Sequence, residues 1–152
     1  MTTGRIDQPV EGRFDGKTHR FPLRIYFEDT DLSGVVYHAN YLRFMERARS
    51  DMLRLAGIDQ RAAHEAGDGA YAVTRMQLRF AAPARLDDAL IVVSRLVRVR
   101  AASVDIQQRV MRHDELLVQA EVEAAFVAPN GRPRRQPAQW VDAFVPLVMM
   151  GN

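Results

Sequence analysis

The only long run of helical period in the chain falls at residues 40–56. Tyr41, Phe44, Met45, Ala48, Met52 and Leu55 recur in steps of three, four and seven, with Arg43, Glu46, Arg47, Arg49 and Arg54 between them. That spacing predicts an amphipathic helix with one buried stripe and one wet face. Asn40 is positioned to cap it and Gly57 to end it. Elsewhere a period of two prevails. Residues 20–27 put Phe21, Leu23, Ile25 and Phe27 on one face, and residues 71–80 carry Val73, Met76, Leu78 and Phe80. Residues 90–99 are β-branched and apolar on both sides, the pattern of a central strand covered on both faces. Val104, Ile106 and Val110 alternate with Asp105, Gln107 and Arg109. Leu116, Val118, Ala120, Val122, Ala124 and Phe126 alternate with Gln119, Glu121 and Glu123. His113-Asp114-Glu115 and Pro129-Asn130-Gly131 read as turns. The A-A-H-E-A run adds a helical turn before Gly67, and residues 137–144 form a short helix with Pro137 in its first turn.

The order is strand, long helix, four strands, which predicts an α+β domain with one helix lying on an antiparallel sheet. Residues 1–20 are expected to be a flexible arm, and residues 129–152 a tail holding the short helix. A length of 152 residues suits one domain with a substantial core.

Composition narrows the classes of function. No apolar run approaches the roughly 20 residues of a membrane span, and the polar start lacks the apolar core of a secretory signal. The expected location is the cytoplasm. With no cysteine in the chain, disulfides, thiolate metal sites and a Cys nucleophile are excluded. The net charge of +2 comes from arginines spread along the chain rather than gathered beside aromatics, so a nucleic-acid face is not expected. An anionic, phosphate-bearing small ligand stays open.

The chemistry concentrates where residues 20–27 feed the helix. Glu28, Asp29 and Asp31 precede Gly34, and His38 stands at the helix entry. Three uses compete for this turn. Hard-metal loops space their ligands more regularly than this, so no metal is expected. Asp31 as a turn-forming acid beside an ordinary histidine is the structural reading, and spacing alone favours it. The catalytic reading makes Asp31 a general base or nucleophile, with backbone N–H groups at the helix start as an oxyanion hole. The chain has no G-x-S-x-G, G-x-G-x-x-G or P-loop motif. His19, His64 and His113 read as surface residues, and Trp140 as packing for the short helix.

The segment E-D-T-D-L-S-G-V-V-Y-H-A-N-Y-L-R-F-M-E-R-A-R closely resembles the signature of hotdog-fold acyl-CoA thioesterases of the 4-hydroxybenzoyl-CoA thioesterase family. The branch it resembles most is the one associated with the Tol–Pal envelope system. The likeness is dense over residues 26–55 and continues at P-A-R-L-D-D, residues 83–88. It implies a hotdog domain over residues 21–128, a curved antiparallel sheet wrapped around the helix. It also implies a homodimer or homotetramer with each active site at a subunit interface. Position by position, the family's catalytic aspartate falls on Asp31, and its carbonyl-polarising N–H falls at His38. Gly34, Val35, Val36 and Tyr37 fall on substrate-binding positions, and Arg85 is the side chain suggested for the CoA phosphates. No cofactor is implied. The expected activity is hydrolysis of acyl-CoA or acyl-carrier-protein thioesters. Alternatives are a hotdog protein that binds acyl-carrier protein with little catalysis, and a hotdog dehydratase.

Overall fold

The long helix lies on the concave face of a curved, fully antiparallel sheet in the computed structural model, which describes residues 7–149. The strands are β1 (Arg13–Asp15), β2 (Thr18–Arg24), β3 (Ala70–Phe80), β4 (Ala89–Val99), β5 (Ser103–Arg112) and β6 (Glu115–Val127). The helices are α1 (Asn40–Leu55), α2 (Gln60–Glu65) and α3 (Ala138–Phe144). Across the sheet the order is β1-β2-β4-β5-β6-β3. Strands β4, β5 and β6 follow one another as neighbours. β3 crosses back to pair with β6 at one edge, and the β1–β2 hairpin forms the other.

The predicted stripe buries Tyr41, Phe44, Met45, Ala48 and Met52 against the sheet. Leu55 is only half-buried, and Leu53 fills the last turn in its place. Gly57 ends α1 at a φ of 90°, a left-handed conformation that a side chain would oppose.

Several expectations change. Residues 1–20 are not wholly an arm, because Arg13–Asp15 pairs with Thr18–Arg20 as a hairpin; residues 1–6 of that segment lie outside the described residues. Phe27 leaves the strand for a 3-10 turn at Phe27–Asp29 and is exposed. On β6 the bulge opposite Val110/Met111 shifts the inward position from Leu116 to Leu117. β4 is central, but only its Leu90, Val92, Ser94 and Leu96 face is fully buried. Val145–Leu147 is a 3-10 turn, and the Met149 N–H then donates to the Leu96 carbonyl at 2.9 Å. Met150 lies outside the described residues.

The core is two apolar clusters separated by a polar row. Phe21, Phe44, Met45 and Val110 belong to one; Met52, Leu96, Phe126 and Phe144 belong to the other. Between them His19, Ser94 and Gln108 stand opposite one another on β2, β4 and β5, and all three are fully buried. Arg49, expected on the wet face, is buried instead. It donates to Gln108 Oε1 at 2.8 Å, while Gln108 Nε2 donates to the Met45 carbonyl and to Ser94 Oγ, each at 3.0 Å. A buried polar group must find partners, and these find one another. His19, expected at the surface, holds Asp51 of α1 through Nε2 at 2.7 Å. The same carboxylate accepts the Gly12 N–H. A Cβ on Gly12 would come within 2.5 Å of the Arg20 carbonyl oxygen and 2.6 Å of Asp51 Oδ2, so the close approach of this segment to β2 and α1 requires glycine.

Candidate active site

The turn between β2 and α1 is built from its own short-range hydrogen bonds. The Asp29 carboxylate accepts the Tyr26 N–H at 2.8 Å, and the Asp29 carbonyl accepts both the Tyr37 N–H at 3.0 Å and Asn40 Nδ2 at 2.9 Å. Asn40 is therefore the first residue of α1 and not its cap; its side chain ties the helix back to the 3-10 turn. Asp31 donates its N–H to the Val35 carbonyl and accepts the Gly34 N–H on its own, each at 3.0 Å. This reversal needs a left-handed residue, and Gly34 supplies it with a φ of 84°.

The Asp31 side chain stays exposed but has a fixed direction. Its Oδ1 accepts the Ser33 N–H at 2.8 Å and a short bond from the Ser33 hydroxyl. These bonds favour the ionised form, so Ser33 holds the Asp31 carboxyl below the usual carboxylate range, first through the hydroxyl and then through the N–H, with His38 adding a smaller pull. Ser33 had no part in the sequence expectations. The D-x-S spacing was its signal, since a hydroxyl two residues after an aspartate bonds back to it in tight turns.

At the other end of the turn, no side chain caps α1. The N–H groups of Asn40, Tyr41 and Leu42 donate to the carbonyls three residues earlier. Among the described residues, the His38 N–H has no acceptor. It stands at the positive end of a 16-residue helix whose first turn holds no acid. An aromatic wall stands beside it. The His38 ring lies against Tyr37, with centroids 4.6 Å apart, and edge-on to Phe80 at 6.2 Å.

Residues 83–88 hold the turn from the sheet side. The Val36 N–H donates to the Ala84 carbonyl at 2.9 Å, and Val35 forms a bridge with Arg85. Asp88 Oδ2 accepts the Arg85 N–H at 2.8 Å and Arg112 Nη1 at 2.7 Å. Gly34, Val35, Val36, Tyr37 and Arg85 therefore belong to one assembly with Asp31 and His38. Val36 is buried there and acts as packing, while the Arg85 side chain is exposed. Among the described residues, no group of three or more His, Asp or Glu side chains is gathered as for a metal ion. A groove on the outer face of the sheet, lined by Arg75, Gln77, Arg95, Gln107, Arg109 and Glu121 among others, shares no residue with this assembly.

The model of the thioesterase-like superfamily matches residues 25–145. The acyl-CoA thioester hydrolase YbgC of Escherichia coli O157:H7 is 42% identical over 127 residues, spanning 82% of this chain and 94% of its own length. The acyl-CoA thioesterase YbgC of Haemophilus influenzae is 41% identical over 107 residues, spanning 70% of this chain and 79% of its own. The crystal structure of a probable thioesterase from Bartonella henselae superposes with a TM-score of 0.75 at 38% identity, covering 79% of this chain and 99% of that one. The fold, the matched span and these relatives agree: the chain is a hotdog-fold thioesterase and belongs to the thioesterase-like superfamily.

Proposed function

We propose that this chain hydrolyses acyl-CoA thioesters at the turn between Asp31 and the start of α1. One observation carries the reading. An exposed carboxylate, oriented by Ser33, shares a short turn with a helix N-terminus whose His38 N–H has no acceptor among the described residues. The thioester carbonyl oxygen points to the His38 N–H, where the helix dipole favours the negative charge that develops on it. Asp31 supplies the other half of the reaction by one of two routes. As general base it takes a proton from water as the water oxygen bonds to the carbonyl carbon; the C–S bond then breaks and the thiolate takes up the proton. As nucleophile its carboxylate forms a mixed anhydride with release of the thiolate, and water opens the anhydride. An exposed aspartate is ionised near neutral pH, as both routes require, and Ser33 lowers its pKa further while fixing its direction. The relatives named for acyl-CoA hydrolysis support CoA as the carrier. The exposed Arg85, on the segment that holds the turn, is the side chain proposed to meet its phosphates.

The proposal extends to a second copy of this chain. β3 is an edge strand of 11 residues with no partner on its outer side among the described residues, and it exposes Val73 and Phe80. An unpaired edge of that length invites another strand. Edge-to-edge pairing there would bring a second chain up to Phe80 and the aromatic wall at His38. The activity is tested by following free thiol release from short, long and aromatic acyl-CoAs. Wild type is expected to hydrolyse at least one of them. Asp31→Asn, which keeps the shape but removes the charge, should lose at least about 100-fold in rate while remaining folded. An inert wild type, or a fully active Asp31→Asn, would refute the reading.

A further inference from the structure

We propose that the Tyr41 hydroxyl is a positioning group for this reaction: it ties the first turn of α1, which follows closely on His38, to the segment that holds the Asp31 turn. The inference rests on the roles given above to Asp31 and His38. Those two groups are useful only at a fixed separation, yet the chain directly between them is exposed at Leu32, Ser33, Gly34 and Tyr37. A second, buried route joins them. Tyr41 stands three residues after His38 and is 3% exposed. Its hydroxyl oxygen accepts the Ala84 N–H at 3.0 Å. The Ala84 carbonyl accepts the Val36 N–H at 2.9 Å, and the Val35 carbonyl accepts the Asp31 N–H at 3.0 Å. The route from helix to carboxylate is thus one side-chain hydroxyl and a run of backbone bonds.

The segment is anchored from behind as well. Arg112 reaches from the end of β5 to Asp88 Oδ2 at 2.7 Å and to the Pro83 carbonyl at 3.3 Å. Tyr41 and Arg112 therefore grip residues 83–88 from opposite sides, one from the helix and one from the sheet. The Tyr41 ring packs edge-on against Phe44 and lies beside Phe80, so a phenylalanine at this position keeps the packing and loses only the oxygen. The Ala84 N–H, fully buried, would then have no acceptor, and the segment would shift to find one. A displacement of about 1 Å in a reacting group is enough to cost up to roughly 100-fold in rate.

The test is a double-mutant cycle on the acyl-CoA that wild type hydrolyses best, using wild type, Tyr41→Phe, Asp31→Asn and the double variant. Tyr41→Phe is expected to lower kcat by roughly tenfold while KM stays within about twofold, since the hydroxyl is buried against the Ala84 N–H. If its effect runs through the placement of Asp31, the double variant will be no slower than Asp31→Asn alone. A hydroxyl that only stabilises the fold would lower the melting temperature and leave kcat unchanged, which overturns the proposal. So would a tenfold loss that multiplies with that of Asp31→Asn. If Tyr41→Phe does not fold, Arg112→Gln loosens the same segment from its half-exposed side, and the same kcat and cycle criteria decide. A fully active Asp31→Asn would overturn the reading of the reaction itself; an inactive Asp31→Asn beside a fully active Tyr41→Phe overturns only the tether.

Discussion

The buried His19–Asp51 pair gives this protein a stability that should fall on mild acidification. Burial pulls the His19 pKa below its usual value, and the hydrogen bond and charge of Asp51 only partly oppose this. The native imidazole is then neutral, donating from Nε2 to Asp51, with Nδ1 buried and unpartnered among the described residues. Around it stand the Phe14 ring, edge-on with centroids 5.4 Å apart, Ser94 on the neighbouring strand and the Gly12 N–H on the same carboxylate. Among the described residues, no acceptor waits for a second ring proton. A base with a depressed folded pKa leaves the unfolded chain to take the proton first. The stability is fully present above the unfolded value of about 6.5 and drains away as pH falls toward the folded value. One proton limits the slope to about 1.4 kcal/mol per pH unit. Urea unfolding at about pH 7.5 and about pH 5.5, at one protein concentration, compares wild type with His19→Gln, which can still donate to Asp51 but does not titrate. Wild type should lose more stability than the variant over that interval, by at most about 1.4 kcal/mol. Equal losses would refute the argument. So would a wild type that gains stability in acid, since an imidazolium–carboxylate pair would then be the native form.

Two further outcomes follow from the turn and the sheet edge. Ser33→Ala removes the strongest hold on the Asp31 carboxylate, so its pKa should rise and the acid limb of the kcat/KM profile should move to higher pH; an unmoved limb would separate Asp31 from the ionisation that governs the rate. If the open edge of β3 pairs with a second copy, sedimentation equilibrium should give at least twice the 17.2 kDa of one chain, and a monomer at micromolar concentration would refute edge pairing.

The parts of this protein that the sequence made legible are those where period and packing coincide. α1 announced itself because its buried stripe repeats at helical spacing, and β5 because one of its faces is consistently polar. His19 and Arg49 were misplaced because residue type is a guide to average exposure only. Each is buried through one long-range partner, Asp51 for His19 and Gln108 for Arg49, which spacing cannot reveal. The shift from Leu116 to Leu117 came from a bulge, and a single inserted residue reverses every inward assignment before it. Asp31 and His38 stood out through a dense motif over contiguous residues. Ser33, the residue that orients Asp31, lay inside the same motif and went unnoticed because its role is a local hydrogen bond. Tyr41 was legible as core, but its hydroxyl bond to Ala84 spans 43 positions of chain.

The polar row across the middle of the core fixes how far along the sheet the helix can lie. Apolar attraction is non-directional and marks an axial position less sharply than a hydrogen bond does. Arg49 and Gln108 are not interchangeable with anything nearby. Sliding α1 by one turn, about 5.4 Å, would separate them, leaving the buried Arg49 guanidinium and the Gln108 amide oxygen without each other and Gln108 Nε2 with only Ser94. The row works as a key between two smooth surfaces and sets the axial position of the whole helix. His38 lies just ahead of the N-terminus of that helix, so the location of its N–H is decided in part by buried side chains in the centre of the domain.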